Sequence, residues 1–230
     1  MSGGALMNIR TKVIVLGTVE FLVIALGLFI PAGTIAWTAG WVFLGLLFVT
    51  GLPLTWWLLE YERDLVEERM RFRPEFSWDK AFVAATLFFT LFWLILMPLD
   101  AVRFHWSRMP VALKTVGALV ILISLYISFL TMRENPYSSG VVRVQKDRGH
   151  TVISTGPYRY VRHPMYAAAC LFFPGTALLL GSWYGVLCTP VFVVFLAFRA
   201  VREEGVLREE LEGYGAYMAR VKYRFVPCLW

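Results

Sequence analysis

Residues 13–30 read VIVLGTVEFLVIALGLFI, an apolar run broken by one ionisable side chain, Glu20. A helix rises ~1.5 Å per residue and a bilayer core is ~30 Å thick, so about 20 such residues cross it. Segments 38–59, 81–99, 111–132, 165–181 and 183–198 repeat the pattern and take up most of the chain. With 58% of its 230 residues hydrophobic, the chain has more apolar surface than a soluble domain would bury. The expected fold is an all-α polytopic membrane protein with five to six membrane helices, residues 1–230 forming one membrane domain.

Two local points qualify that layout. Arg10 and Lys12 precede the first run as in a secretory signal, but the run is long and Pro31-Ala32-Gly33 is a poor cleavage site, so a retained span is expected. The last two segments are short, ~24 Å each by helical rise. Pro174 and Pro190 interrupt them, and Gly181-Ser182-Trp183-Tyr184-Gly185 makes a tight turn between them. A hairpin that crosses partly or wholly is expected there.

Charge sets the orientation. The net charge is +6, and alternate connections carry 19 Lys and Arg residues against 3 on the opposite side. The positive-inside rule then places both termini in the cytoplasm. Basic residues so distributed orient a membrane protein, and nucleic-acid binding is not needed to explain them. Cys170, Cys188 and Cys228 have no metal-ligand spacing, so no metal is expected. Glu20 lies inside the first span, where a carboxylate costs roughly 2.5–3.5 kcal/mol on insertion scales. An interhelical hydrogen bond is the simpler expectation for it, and lining a cavity the functional one.

Three cytoplasmic stretches remain for chemistry. Residues 61–80, YERDLVEERMRFRPEFSWDK, mix charges at helical spacing, with Glu67 and Arg71 as i,i+4 partners and Glu68 above Phe72. This reads as a solvated interfacial helix. In 133–166, RENPYSSGVVRVQKDRGHTVISTGPYRYVRHPMY, the pieces VVRVQ and TVIST are β-prone around a turn at Lys146-Asp147-Arg148-Gly149. His150 and His163, two of the three histidines, fall here.

Pro164 suits the first turn of the following helix, and the residue before it, His163, is pushed toward an extended conformation. Free N–H groups near Met165 and Tyr166 would favour an anion such as a carboxylate. Flanking tyrosines could stack on a flat ring, with Arg162 and His163 as donors. An aromatic and basic belt at a membrane edge is the alternative reading. In the third stretch, from 199 onward, Arg199–Glu203 and Glu204–Arg208 are i,i+4 pairs. Arg199, Arg202, Glu203 and Glu204 sit where the helix leaves the membrane, poised to meet a ligand at its surface.

GHTVISTGPYRYVRHPMY, followed about forty residues later by REE and then GYGAYMARVKYRFVP, resembles the isoprenylcysteine carboxyl methyltransferase family and the related membrane phospholipid methyltransferases. The resemblance covers residues 133 to the end; the first 130 match only as membrane spans. It implies S-adenosylmethionine-dependent methyl transfer at the membrane, with a cytoplasmic C-terminal cofactor-binding cap unlike the soluble Rossmann type. Residues 133–230 would be catalytic, and 1–132 would hold the spans that shape acceptor access. Carried over by position, the cofactor contacts are Gln145, His150, Thr151, Val152, Ile153, Tyr158, His163, Pro164, Met165, Tyr166 and Glu203 or Glu204. Arg199 matches an arginine that serves the acceptor. Glu203, Glu204 or His163 are the candidates for deprotonating an amine or neutral thiol.

The implied acceptor is a hydrophobic carboxylate, thiol or lipid amine reached through the lipid bilayer. A nicotinamide-dependent membrane sterol or enone reductase, with an Arg-His near a Tyr, is the second reading, though a Gly-rich phosphate site is lacking. A non-catalytic membrane protein is the third, and it leaves the polar residues at 133–166 and 199–204 without a role.

Overall fold

The computed structural model describes residues 8–71 and 76–230. It is all-helical over those residues. The helices are α1 (Ile9–Ala32), α2 (Thr38–Tyr61), α3 (Arg63–Arg71), α4 (Ser77–Pro98), α5 (Val111–Glu134), α6 (Pro164–Leu180), α7 (Trp183–Glu210) and α8 (Tyr214–Arg220). Helices α1, α2, α5 and α7 are long and apolar enough to cross a membrane, as is α4 with its continuation to Arg103. The chain is an integral, multi-pass membrane protein. The 17-residue α6 is shorter but equally apolar.

Pro174 and Pro190 do not interrupt their helices, contrary to expectation. Both lie inside, and α7 runs on for 28 residues, carrying Arg199–Glu204 beyond its apolar part. Each proline removes one backbone hydrogen bond, which packing on neighbouring helices offsets. The turn between α6 and α7 is tighter than the five residues proposed. Gly181 ends α6 in the left-handed conformation (φ 85°), and Ser182 caps α7 by accepting from the Gly185 N–H.

The core lies where α1, α2, α4, α5, α6 and α7 meet, around Leu28, Leu44, Trp93, Met97, Ile121 and Phe192. The Phe173 and Phe192 rings stack at 3.7 Å, and Trp93 donates its indole N–H to the Gly185 carbonyl at 2.8 Å. Helices α5 and α6 touch backbone to backbone. A Cβ on Gly117 would stand 2.5 Å from the Leu179 nitrogen, and Ser124 donates across the same pair to the Ala168 carbonyl. Small residues allow such approach in membrane helices.

The start of α1 is held more loosely, by the Arg10–Glu60 pair to the end of α2 at 3.5 Å. Residues Ile14–Glu20 are all exposed on the chain. Glu20 makes no hydrogen bond or ion pair with the described residues, so the interhelical hydrogen bond expected of it is not formed. Its side chain lies in the exposed stretch of α1, without a donor in reach among the described residues. In α3, Glu67 pairs with Arg63 at 3.4 Å. The Arg71 side chain and Phe72, named as partners of Glu67 and Glu68, lie outside the described residues.

VVRVQ and TVIST are not strands: no ladder joins them. In VVRVQ some backbone N–H groups are taken by side chains instead. The Val142 N–H donates to Asp79 Oδ2 at 3.0 Å and the Gln145 N–H to His150 Nδ1 at 3.3 Å. These segments, α8 and the chain end form a cap over one end of the bundle. An apolar cluster of Leu211, Tyr214, Tyr217 and Val221 holds it together, and the Arg162 and His163 N–H groups donate to the Tyr223 and Arg224 carbonyls.

Candidate active site

A cavity opens between the cap and the end of the bundle. Its wall includes His150, Thr151, Val152, Ile153, Tyr158, His163, Pro164, Met165, Tyr166 and Glu203. The stretch ending at Tyr166 and Glu203, 37 residues further on, therefore meet, because α6 and α7 form a hairpin whose open end brings 163–166 beside 203. Pro164 begins α6 with His163 as its cap residue (φ −125°). The Tyr166 and Ala167 N–H groups both turn back to the His163 carbonyl at 3.0 Å, so the helix start offers fewer free donors than the sequence suggested.

On one wall the His163 and Tyr166 rings lie parallel, 5.2 Å apart. The Tyr166 hydroxyl donates to Glu203 Oε2 at 2.6 Å. His163 Nδ1 stands 4.0 Å from that same oxygen, and Phe225 meets both rings edge-on. On another wall Tyr137 stacks on His150 at 4.3 Å, with the Arg148 guanidinium over the tyrosine. Burial, and then Arg148, lower the His150 pKa to about 4. Its Nδ1 accepts the Gln145 N–H, so the neutral ring carries its proton on Nε2. Tyr158 accepts from Asn135 Nδ2 at 2.8 Å, and burial pushes its phenol pKa well up.

Gln145, Arg199 and Glu204 stand behind the wall. Gln145 is fully buried, donating to the Tyr137 carbonyl and accepting from Arg148, and so shapes the turn that presents His150. Glu204 is 4% exposed. It accepts from Arg162 Nε at 2.7 Å and Arg224 Nε at 2.9 Å, and faces His163 Nε2 at 3.1 Å. Arg162 also donates to the Val221 and Lys222 carbonyls, tying the chain end to the cap.

Arg199 reaches Asp79 at 3.3 Å and the Gly140 carbonyl at 2.7 Å. The i,i+4 pairs expected along α7 are therefore replaced by partners on other elements: Arg199 turns to Asp79, Glu203 to Tyr166, and Glu204 to Arg162, His163 and Arg224. Buried tertiary partners outcompete an exposed helical pair worth ~0.2–0.5 kcal/mol.

Sequence reading missed Asn135, Tyr137, Tyr214 and Tyr217 of the wall. Their signal was weak: an Asn-Pro after a span, and two tyrosines three apart beside a glycine. Asp79 was missed as well, lying in a stretch read only as interfacial.

The fold and the cavity define a polytopic membrane protein with a polar site capping one end of its bundle. Residues 113–213, from the first turn of α5 to just before α8, match the model of a family described as phospholipid methyltransferase. This bears out the resemblance read from the sequence and supports a membrane methyltransferase. No curated protein matches the chain.

Proposed function

We propose that this protein is an S-adenosylmethionine-dependent methyltransferase that modifies a hydrophobic acceptor at the membrane, with residues 133–230 forming the catalytic part. The observation that carries the reading is the Glu203–Tyr166–His163 wall at the start of α6, within the matched segment. The residues suit the cofactor's chemistry. Glu203 offers a carboxylate to an ammonium or sulfonium, the Tyr137–His150 face offers a flat surface to adenine, and the cap excludes water. Bound there, the cofactor would supply a methyl group on a sulfonium; as the acceptor's lone pair forms the new bond, the carbon–sulfur bond breaks with its electrons left on sulfur. The chain's own task is alignment. For an amine or thiol acceptor, the Glu203 carboxylate on the cavity wall is the group that can take the proton.

An apolar acceptor is supported by a groove of about 620 Å³ between α2 and α5, lined by Leu47, Leu54, Trp57, Leu122, Tyr126 and Phe129. Its Thr50 hydroxyl is turned back to the Leu46 carbonyl. Residues 1–132 contribute most of this wall. The distribution of Lys and Arg supports a cytoplasmic site with both termini on that side. The test is direct binding of S-adenosylmethionine to the protein in nanodiscs. The parent should bind, and His163→Ala and Glu203→Ala should bind at least ~10-fold more weakly. A folded parent that does not bind the cofactor overturns the reading.

A further inference from the structure

Asp79 begins α4, outside the segment matched by the family, and its side chain is fully buried. Its two oxygens do different things. Oδ2 accepts the Val142 N–H at 3.0 Å, and Oδ1 faces Arg199 Nη2 at 3.3 Å. Arg199 donates from Nη2 to the Gly140 carbonyl at 2.7 Å, and its guanidinium lies over the Phe82 ring at 5.0 Å. Its Nε is buried without a hydrogen-bond partner, and the residue stands off the cavity wall. Arg199, one helical turn before Glu203, is thus held from below by a carboxylate, from the side by a carbonyl and from one face by a ring.

Among the described residues, the two arginines on the cavity wall are also occupied. Arg143 pairs with Glu68 and Asp147, and Arg162 with Glu204. His163 faces Glu204, and His150 is stacked on Tyr137 with Nδ1 accepting. Glu203 is the opposite case: its carboxylate faces the cavity and is met by the neutral Tyr166 hydroxyl at 2.6 Å. An anionic headgroup brought into this space loses its water and finds both described lining arginines already engaged, which is costly. A neutral or cationic headgroup meets a carboxylate instead.

We infer that Asp79 is a specificity-determining residue: by occupying Arg199 it makes the site take an acceptor with an uncharged or cationic headgroup, a thiol or an amine, and turn away a carboxylate. The inference rests on the methyltransferase reading above. The same carboxylate positions the wall, because Asp79 and Arg199 together grip Gly140 and Val142 on either side of the cavity-lining Val141.

The experiment uses the full chain in nanodiscs with S-adenosylmethionine and three probes of equal chain length: dodecanethiol, dodecylamine and dodecanoate. Methyl transfer and competitive binding are both read. The parent should bind or methylate the thiol or the amine at least ~10-fold better than dodecanoate. Asp79→Asn, which keeps an acceptor for the Val142 N–H and releases Arg199, should raise the dodecanoate signal ~10-fold relative to the other two. Adding Arg199→Gln to that variant should abolish the gain, an outcome that a purely structural role for Asp79 would not give. A parent that prefers dodecanoate, or an Asp79→Asn variant that folds and keeps the parent's ranking, overturns the inference. The parent's ranking needs no variant, so it decides the matter if Asp79→Asn does not fold. Failure of the folded parent to bind S-adenosylmethionine is a separate result and overturns the methyltransferase reading itself.

Discussion

Two carboxylates are buried at opposite ends of the helical bundle, and their surroundings differ in kind. Asp100 sits in the π-helical turn Leu99–Arg103. Its Oδ2 accepts from the Ser107 hydroxyl at 2.6 Å and the Ser182 hydroxyl at 2.5 Å, with the Tyr184 N–H at 3.4 Å. All are neutral donors, gathered where α7 begins, so the negative charge meets the positive end of that helix. Glu204 lies near the other end of the same helix and is met by two guanidiniums and an imidazole. The first arrangement closes a turn. The second fixes the back of a cavity, because each of its donors comes from a segment that builds the wall or ties down the cap. Burial of an acid is thus no sign of function; what its partners support is.

The contrast breaks most visibly at Glu204. Glu204→Ala leaves the buried Arg162 and the half-buried Arg224 without their carboxylate, and losing one partner of a buried ion pair costs about 3–5 kcal/mol. Thermal unfolding in detergent should fall accordingly, and cofactor binding should be lost with the cap. Glu203→Gln is expected to separate stability from function. Its carboxylate is a quarter exposed and bonded to one phenol, so unfolding should shift little while cofactor affinity drops ~10-fold or more. If Glu203→Gln unfolds the protein and Glu204→Ala leaves binding intact, the assignment of front and back is reversed.

The sequence revealed much of this, and the exceptions share a cause. The spans were legible because length and hydropathy act locally, and Pro164 marked the start of α6 for the same reason. The two adjacent glutamates were not separable. Neighbours on a helix point about 100° apart, and which of them faces the cavity depends on Tyr166 and Arg162, some forty residues upstream. Asp79 looked like one more charge in a solvated run, since its partners Val142 and Arg199 are brought to it only by the folding of α4 against α7. Glu20 failed in the other direction. A buried acid was expected to find a donor, yet it lies in a stretch of α1 whose side chains are all exposed.

A milder effect is expected from pH, acting at the cavity's front wall. His150 titrates at about 4 in the folded chain against an ordinary 6.5, because burial and then Arg148 disfavour its charged form. The unfolded chain therefore binds more protons than the folded one between those values. Stability from this group is fully present above 6.5, declines as pH falls toward 4, and changes no further below. Thermal unfolding followed across that window should show the decline. His150→Asn, which keeps an acceptor near the Gln145 N–H, should flatten it.

The smallest effect on binding is expected at Asp100, for the reason that sets it apart from Glu204. Asp100→Asn can keep its oxygen toward both serine hydroxyls, but it places an amide at the buried Oδ1 position, which has no hydrogen-bond partner among the described residues, and it weakens the charge at the start of α7. A buried donor left without an acceptor costs about 1–3 kcal/mol, so unfolding should come at a lower temperature. Cofactor affinity, measured on the same sample, should stay within ~2-fold of the parent. The site depends on α7 being a continuous helix, and a helix of 28 residues does not shift its far end when its first turn loosens. A large loss of affinity in Asp100→Asn would mean that the two ends of α7 are coupled and that the carboxylates do not act independently.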